Sequence, residues 1–232
     1  GWYEYLTEAG VPMRAEFQPT IGRPHVGVVA IDPEGYFLEF ERFEPHEENE
    51  HLLPALEKLW PLYPDPSVNS SRPAELGVRA TILWLYYRDT GTANRFYTEI
   101  FGAVPIVDQG WAWAYQASPS GFLGIVDSER GLHQATEDKG VTVSMFVDDG
   151  DAWFEYMKGA AGVKRRSEEV GDESGHVRVF VGYDPEGYFL EWDTFLDVEG
   201  NEELLCDPPS SSGEILSMSA KMSPGSSPSH MR

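Results

Sequence analysis

An octapeptide that occurs twice constrains the fold of this chain more than any other feature. Residues 32–39 read Asp-Pro-Glu-Gly-Tyr-Phe-Leu-Glu, and residues 184–191 repeat them letter for letter. The flanks also agree, because residues 2–6 and 153–157 share the order Trp, aromatic, Glu, Tyr, apolar. Asp-Pro favours the start of a tight turn and Gly favours its close. The chain therefore contains a duplicated unit, which we interpret as a short helix, two strands, this turn and a last strand ending in Glu.

Composition and charge exclude several classes of function. With 41% hydrophobic and 13% aromatic residues, the chain can bury a core. Its formal net charge of −22 argues against binding to nucleic acid or to an anionic membrane, since both require basic patches. No run approaches the roughly 18 apolar residues that a membrane span needs.

The single cysteine and the first residue bear on location. Cys206 excludes an intramolecular disulfide and a cysteine-built metal site, which favours a cytoplasmic protein. Because the chain starts at Gly1 inside a predicted helix, we expect an incomplete N-terminus. Whether a signal peptide has been lost is left open.

The hydrophobic pattern predicts two similar halves after residue 78. A strand at 79–87 is followed by a helix that Asp89 caps, and a second strand at 141–147 is followed by a helix at 148–161. Three further strands follow each helix, at 104–109, 111–116 and 122–126, and then at 164–169, 176–183 and 188–195. The pattern thus predicts two tandem βαβββ units, preceded by most of a third unit that includes a strand at 14–17. We divide the chain into a partial unit at 1–43, a helix and Pro/Ser-rich linker at 44–77, a complete domain at 78–197, and a disordered tail at 208–232.

Several motifs resemble the vicinal-oxygen-chelate superfamily of glyoxalase I, bleomycin-resistance proteins and extradiol dioxygenases. Tyr87-Arg88-Asp89, Ala93, Phe96-Tyr97 and Phe101-Gly102 are similar to the opening of such a domain, and Asp-Pro-x-Gly-(x)3-Glu is similar to its closing strand. The resemblance implies an α+β fold in which paired βαβββ units form a curved mixed sheet around a cavity. It does not specify the reaction, because the fold serves isomerases, lyases, dioxygenases and ligand binders.

Superfamily members that use a metal hold it on the first and last strands of each unit. Glu191 occupies the closing-strand position of the last unit, and Glu39 occupies that of the partial unit. Ile82 and Gly124 cannot ligate, and Thr142 stands where His is expected. We therefore expect no cofactor in 78–197. Glu191 then stays a candidate for a lone buried catalytic carboxylate. In the alternative, Glu191 and Glu39 are ligands of a divalent Fe, Mn, Ni or Zn ion.

Side-chain alternation along the strands predicts the walls of the cavity. If Ile82 faces inward, Trp84 and Tyr86 do too, because they follow it at intervals of two residues. On the strand at 111–116, the small residues Ala112 and Ala114 suit close packing under the helices, which favours the cavity side for the aromatic residues between them. The predicted ligand-binding residues are Trp84, Tyr86, Trp111, Trp113, Tyr115, Thr142, Ser144, Phe146 and Phe189. The alternative is that these aromatics only fill the core.

The sequence therefore supports three hypotheses. The first is a glyoxalase/bleomycin-resistance-like protein that binds a small aromatic or apolar ligand without a catalytic metal in 78–197. The second is a metal-dependent lyase or extradiol dioxygenase whose site is completed by missing N-terminal sequence or by another chain. The third is a dimerisation module with a filled core. A small molecule is the expected partner, and a homodimer is left open.

Overall fold

A computed structural model describes residues 1–65, 68–202 and 205, so Cys206 and the predicted tail at 208–232 lie outside the described residues. The N-terminal unit consists of helix α1 (Trp2–Glu8) and an antiparallel hairpin of β1 (His25–Ile31) and β2 (Phe37–Phe43). Trp2 packs on Phe40 with ring centroids 4.7 Å apart, so α1 covers one face of the hairpin. The prediction of a strand at 14–17 was wrong, because only Met13 pairs there, through a single bridge to Ala30.

A long connection leads from β2 to the first complete unit, which begins at Thr81. A 3-10 turn (Glu47–Asn49) and helix α2 (Leu52–Glu57) lead into β3 (Thr81–Tyr87). Asp89 accepts a hydrogen bond from the backbone N–H of Thr92 at 2.9 Å, which caps the next helix as predicted. The remaining elements are α3 (Thr90–Arg95), a π-helical turn (Phe96–Ile100), β4 (Val104–Asp108), β5 (Ala112–Gln116) and β6 (Gly121–Asp127). The strands form a sheet in the order β3-β6-β5-β4, with β3 parallel to β6.

The second complete unit repeats this order. Asp149 caps α4 (Gly150–Gly159) by accepting a hydrogen bond from the N–H of Ala152 at 2.9 Å. Its strands are β7 (Thr142–Phe146), β8 (Lys164–Arg165), β9 (Gly171–Glu173), β10 (Val177–Tyr183) and β11 (Phe189–Phe195). The sheet has the order β7-β11-β10-β8, and β9 also pairs with β10.

The main core joins the helix-covered faces of the two complete units. Tyr156 donates a hydrogen bond to the carbonyl of Ile100 at 3.0 Å, and the ring of Trp153 lies 5.9 Å from that of Phe101. Residues of both units are buried together there, including Leu85, Tyr87, Phe96, Tyr97, Ile125, Phe154, Met157, Phe180, Leu190 and Trp192. The expected α+β class with mixed sheets is therefore confirmed. The sheets are not closed, however, and the two complete units meet on their helix sides.

The two copies of the octapeptide lie in different surroundings. In the second copy Asp184 is buried, and it accepts hydrogen bonds from the N–H groups of Glu186, Gly187 and Tyr188 at 3.0, 2.8 and 2.9 Å. Its other oxygen accepts a hydrogen bond from the Tyr87 hydroxyl at 2.6 Å. In the first copy, Asp32 forms the same type of turn but is only partly buried.

No helix among residues 1–65, 68–202 and 205 combines the length and the apolar character needed to cross a bilayer.

Candidate functional site

The β1–β2 hairpin covers the concave face of the first complete unit, and we call the space between them the hairpin cleft. Side chains at alternate positions of β2 point into it. At one end, the Phe37 ring lies 4.7 Å from His133, which lies 5.0 Å from Tyr86 of β3. At the other end, Phe43 packs against an apolar cluster that contains Ile106. The N-terminal hairpin therefore packs on the concave face of the first complete unit, whereas the second complete unit packs on its helix side.

The middle of the hairpin cleft is filled by side chains. Leu52 and Leu56 of α2 belong to the cluster that also contacts Trp84 and Ile82. Trp84 lies flat over Gly124, where an added Cβ would be only 1.9 Å from an atom of the indole ring. The indole N–H of Trp84 is buried and has no hydrogen-bond partner among the described residues. The predicted aromatic wall at Trp84 is thus packed in this region and leaves no room for a ligand.

Glu39 is a partly buried carboxyl group in the cleft. Burial raises the pKa of Glu39 to about 6, and the neighbouring Glu41 adds to this effect, whereas His25 and Arg14 oppose it. Glu39 also lies near Tyr86. Burial and the charge of Glu39 together raise the pKa of the Tyr86 phenol to about 12. No hydrogen bond or salt bridge joins the Glu39 side chain to the rest of the described chain.

Glu41 is a second partly buried carboxyl group on the same face of β2. Its pKa is raised by burial, and its Oε1 lies 3.5 Å from Nε2 of His25. Gly27 is opposite Glu41 in the hairpin register, and an added Cβ at Gly27 would lie 2.9 Å from Cγ of Glu41. A glycine at this position therefore gives the Glu41 side chain its space. The cleft thus carries two adjacent carboxyl groups that protonate more readily than usual.

The open end of the hairpin cleft contains a cavity of about 460 Å³. The hairpin and the first complete unit both contribute to its lining. Glu48 accepts a hydrogen bond from Gln109 at 2.8 Å, and the guanidinium of Arg130 lies 5.1 Å from the Trp111 ring centre. The lining residues are Arg23, Pro24, His25, Glu48, Gln109, Trp111 and Arg130. Of the predicted ligand-binding residues, Trp111 is the one that lines this cavity.

Two predicted cavity residues on β5 face the other way. Tyr115 is fully buried in the core on the helix side, and Trp113 packs against the same core. Ala114 and Gly124 are paired in register and face the hairpin cleft, where they leave space for Trp84. The placement of Trp113 and Tyr115 in the cavity was therefore wrong, because the residues of β5 and β6 that face the cleft are the small Ala114 and Gly124, which lie beneath Trp84.

A second group of predicted residues lies on the exposed face of the second complete unit. The register of β7 and β11 pairs Thr142 with Phe189 and Ser144 with Glu191. Phe146 is 71% exposed and packs on Phe195 at 4.9 Å. The structure thus brings these five residues to one face, away from Trp84, Tyr86 and Trp111.

Glu191 and Phe189 line a cleft of about 560 Å³ on this face, which we call the second cleft. Burial and the adjacent Asp193 raise the pKa of Glu191, and Asp193 itself is hydrogen-bonded to Ser144. The other acidic residues that line the second cleft are Glu168, Glu169, Asp172 and Glu173.

The residues present do not fit the metal site that the resemblance implies. Ile82 and Gly124 stand at two of the ligand positions that the resemblance implies, and Trp84 fills the space over Gly124. Thr142 is the strand neighbour of Phe189, beside Glu191. Within the described residues, no three or more His, Cys, Asp and Glu side chains are grouped so as to hold a metal ion. We therefore assign no step to a metal.

Sequence reasoning missed several residues of the hairpin cleft. Glu41 could have been found, because it follows Glu39 by two positions on a strand and so shares its face. Arg23 lies in the connection from α1 to β1, and Gln109 and Arg130 lie in connections between strands. No periodic pattern predicts a direction for a side chain in such connections.

Comparison with known proteins supports the fold. No protein-family model matches the sequence, and no curated protein matches it. The structure is similar to a glyoxalase I mutant from Zea mays, with a TM-score of 0.54 and 14% identity over 82% of this chain and 62% of that chain.

Two further matches have lower TM-scores. A glyoxalase/bleomycin resistance protein/dioxygenase from Nocardioides has a TM-score of 0.45 and 21% identity, over 56% of this chain and 88% of that chain. A lactoylglutathione lyase from Agrobacterium tumefaciens has a TM-score of 0.42 and 16% identity, over 53% and 95%. At such identities the similarity concerns the fold and not the activity.

Proposed function

We propose that this chain, which has the fold of the glyoxalase and bleomycin-resistance proteins, binds a small molecule in the hairpin cleft and needs no metal to do so. The ligand would occupy the open end of the cleft, where the hairpin and the first complete unit meet. Small-molecule sites often lie at such junctions, with apolar and aromatic walls and a few polar groups.

The observation that carries this proposal is the cavity at the open end of the hairpin cleft, because residues from both sides of the cleft line it. Glu39 of the same cleft adds support, although it does not line this cavity. A partly buried carboxyl group without a hydrogen-bond partner among the described residues lowers the stability of the folded state at neutral pH. Such groups are typical of functional sites, where binding has priority over stability.

The shape of the cleft restricts the ligand. Leu52 and Trp84 fill its middle, so the ligand must enter from the end that Trp111 lines. The cavity there holds about 460 Å³, which suits a molecule of one or two rings with some water. The indole of Trp111 offers a flat apolar surface, which supports an aromatic ligand.

The second cleft and the metal-dependent hypothesis receive less support. Five carboxyl groups line the second cleft, and the aromatic residue among its lining groups is Phe189. A metal-dependent lyase or dioxygenase would need ligands from outside the described residues, and no observation on these residues favours it.

A binding screen with two matched variants tests the proposal. Purified protein in EDTA is screened by thermal shift against small aromatic compounds, and hits are titrated by calorimetry. Trp111→Ala should abolish binding, whereas Phe189→Ala in the second cleft should leave the dissociation constant unchanged. A ligand at 100 times its dissociation constant should stabilise the protein by about 2.7 kcal/mol.

Three results would contradict the proposal. They are binding that requires an added divalent metal, binding that depends on Phe189 and not on Trp111, and the absence of any hit. Near-ultraviolet circular dichroism of both variants would check that the aromatic core is intact.

A further inference from the structure

Two arginines at the open end of the hairpin cleft have no acidic partner among the described residues. The chain carries 39 acidic residues against 17 Lys and Arg, so a cavity lined by two arginines and one glutamate departs from the overall charge balance. Among the described arginines, Arg42, Arg88 and Arg178 form salt bridges. Arg23 and Arg130 form none with any residue in the described parts of the chain, although both line the same cavity.

The guanidinium of Arg130 is held in position for an incoming anion. It lies 5.1 Å from the Trp111 ring centre, which is a cation–π arrangement. Such stacking uses the face of the guanidinium and leaves its N–H edge free, and that edge matches the two oxygens of a carboxylate. Because Trp111 already restrains the side chain, less conformational entropy is lost when an anion binds.

The other polar groups of the cavity do not neutralise these arginines. Among the described residues that line the cavity, Glu48 is the only carboxylate, and it accepts a hydrogen bond from Gln109 at 2.8 Å. His25 also lines the cavity and is directed to Glu41 at 3.5 Å. The lining therefore has a formal charge of +1 from two arginines and one glutamate, in a protein whose net charge is −22.

We propose that the ligand of the hairpin cleft is a planar aromatic carboxylate. Its ring would pack beside Trp111 and Pro24, and its carboxylate would accept hydrogen bonds from the N–H groups of Arg23 and Arg130. This inference rests on the proposed function, since it names the chemical class of ligand for the same site.

Calorimetric titration with two isosteric probes tests the inference. The first probe is 1-naphthoate and the second is its uncharged amide, 1-naphthamide, both at pH 7.5; inorganic phosphate serves as an anion without a ring. We expect 1-naphthoate to bind at least tenfold more tightly than the amide. Arg23→Gln and Arg130→Gln should each weaken its binding about tenfold, because a hydrogen bond to a charged group contributes 1.4 kcal/mol or more.

The controls separate charge from folding. The double variant should bind 1-naphthoate and 1-naphthamide equally. Arg95→Gln, which removes an arginine on α3 that donates to Thr92 at 3.0 Å, should leave the affinity for 1-naphthoate unchanged.

Each adverse outcome points to a different error. If the amide binds as tightly as 1-naphthoate and both depend on Trp111, the carboxylate inference is wrong and the proposed function stands. If phosphate binds as tightly as 1-naphthoate with the same dependence on Arg23 and Arg130, the ring requirement is wrong. If none of the three probes binds the wild-type protein at millimolar concentration, the inference fails together with the binding function on which it rests.

Discussion

Replacing Asp184 with alanine should destabilise the protein far more than the same change at Asp32, although the two residues begin identical octapeptides. Asp184 is fully buried and accepts hydrogen bonds from three backbone N–H groups and from the Tyr87 hydroxyl. The Tyr97 hydroxyl also lies 3.3 Å from the same carboxylate oxygen as Tyr87. Asp32 accepts two backbone hydrogen bonds, from Glu34 at 2.9 Å and Tyr36 at 2.8 Å, at an exposed turn.

The magnitude follows from what the missing carboxylate leaves behind. Asp184→Ala leaves several donors buried without an acceptor, and each such donor costs about 1–3 kcal/mol. Burial raises the pKa of Asp184, so removing the carboxylate also relieves a desolvation penalty. We therefore expect a net loss of about 3–5 kcal/mol at Asp184. At Asp32 water can replace the lost acceptor, and the expected loss is about 0.5–1 kcal/mol.

Urea denaturation at pH 7, followed by circular dichroism, measures both losses. The urea dependence of the unfolding free energy should be the same for both variants, so that the midpoints report stability directly. Asp184→Asn serves as a second control. The amide oxygen can still accept from the backbone N–H groups, and the loss should be about 1–2 kcal/mol. If Asp32→Ala and Asp184→Ala lower the unfolding free energy equally within about 0.5 kcal/mol, burial does not distinguish the two copies and our reasoning is refuted.

Three further predictions concern the hairpin cleft. The folded pKa of Glu39, about 6, lies above its ordinary value of 4.5, so the unfolding free energy should fall as pH rises from about 4.5 through 6. Glu39→Gln should reduce that fall but not remove it, because Glu41 and Glu191 also have raised pKa values. The variant should be about 1–2 kcal/mol more stable than wild type at pH 8 but equal to it at pH 4, and equal stability at both pH values in urea titrations would contradict a raised pKa of Glu39. Gly124→Ala should cost about 1–3 kcal/mol in wild type and markedly less in a Trp84→Leu background, and additive costs would show that these two residues are not in contact. Leu52→Ala should cost about 2–4 kcal/mol in urea denaturation, and a loss below 0.5 kcal/mol would mean that α2 does not fill the cleft.

Much of the fold could be predicted because its determinants are local. The octapeptide marks two turns, and Asp89 marks the start of a helix. The sequence also predicted helical structure for the π-helical turn that follows this helix. The predicted strand at 14–17 does not form, because only Met13 in this region pairs with the hairpin, through a single bridge to Ala30. Local patterns do not say which units pack together. That choice depends on contacts between distant segments, such as Phe37 with His133.

The candidate site was harder to predict for a related reason. Alternation divides the side chains of a strand between two faces, but it does not say which face is the cavity. On β5 we assigned the aromatics to the cavity, whereas Trp113 and Tyr115 face the helices and Ala114 lies beneath Trp84. Arg23 and Arg130 lie in connections, so their convergence became visible only in three dimensions.

The duplicated octapeptide also gives the protein an internal reporter of its own unfolding. In the first copy, Tyr36 is 60% exposed and Leu38 is 44% exposed, whereas the matching Tyr188 and Leu190 are 5% and 0% exposed. An antibody raised against the free octapeptide should therefore find one epitope on each native molecule and two on each denatured one. The change in stoichiometry would measure opening of the second complete unit without any chemical label.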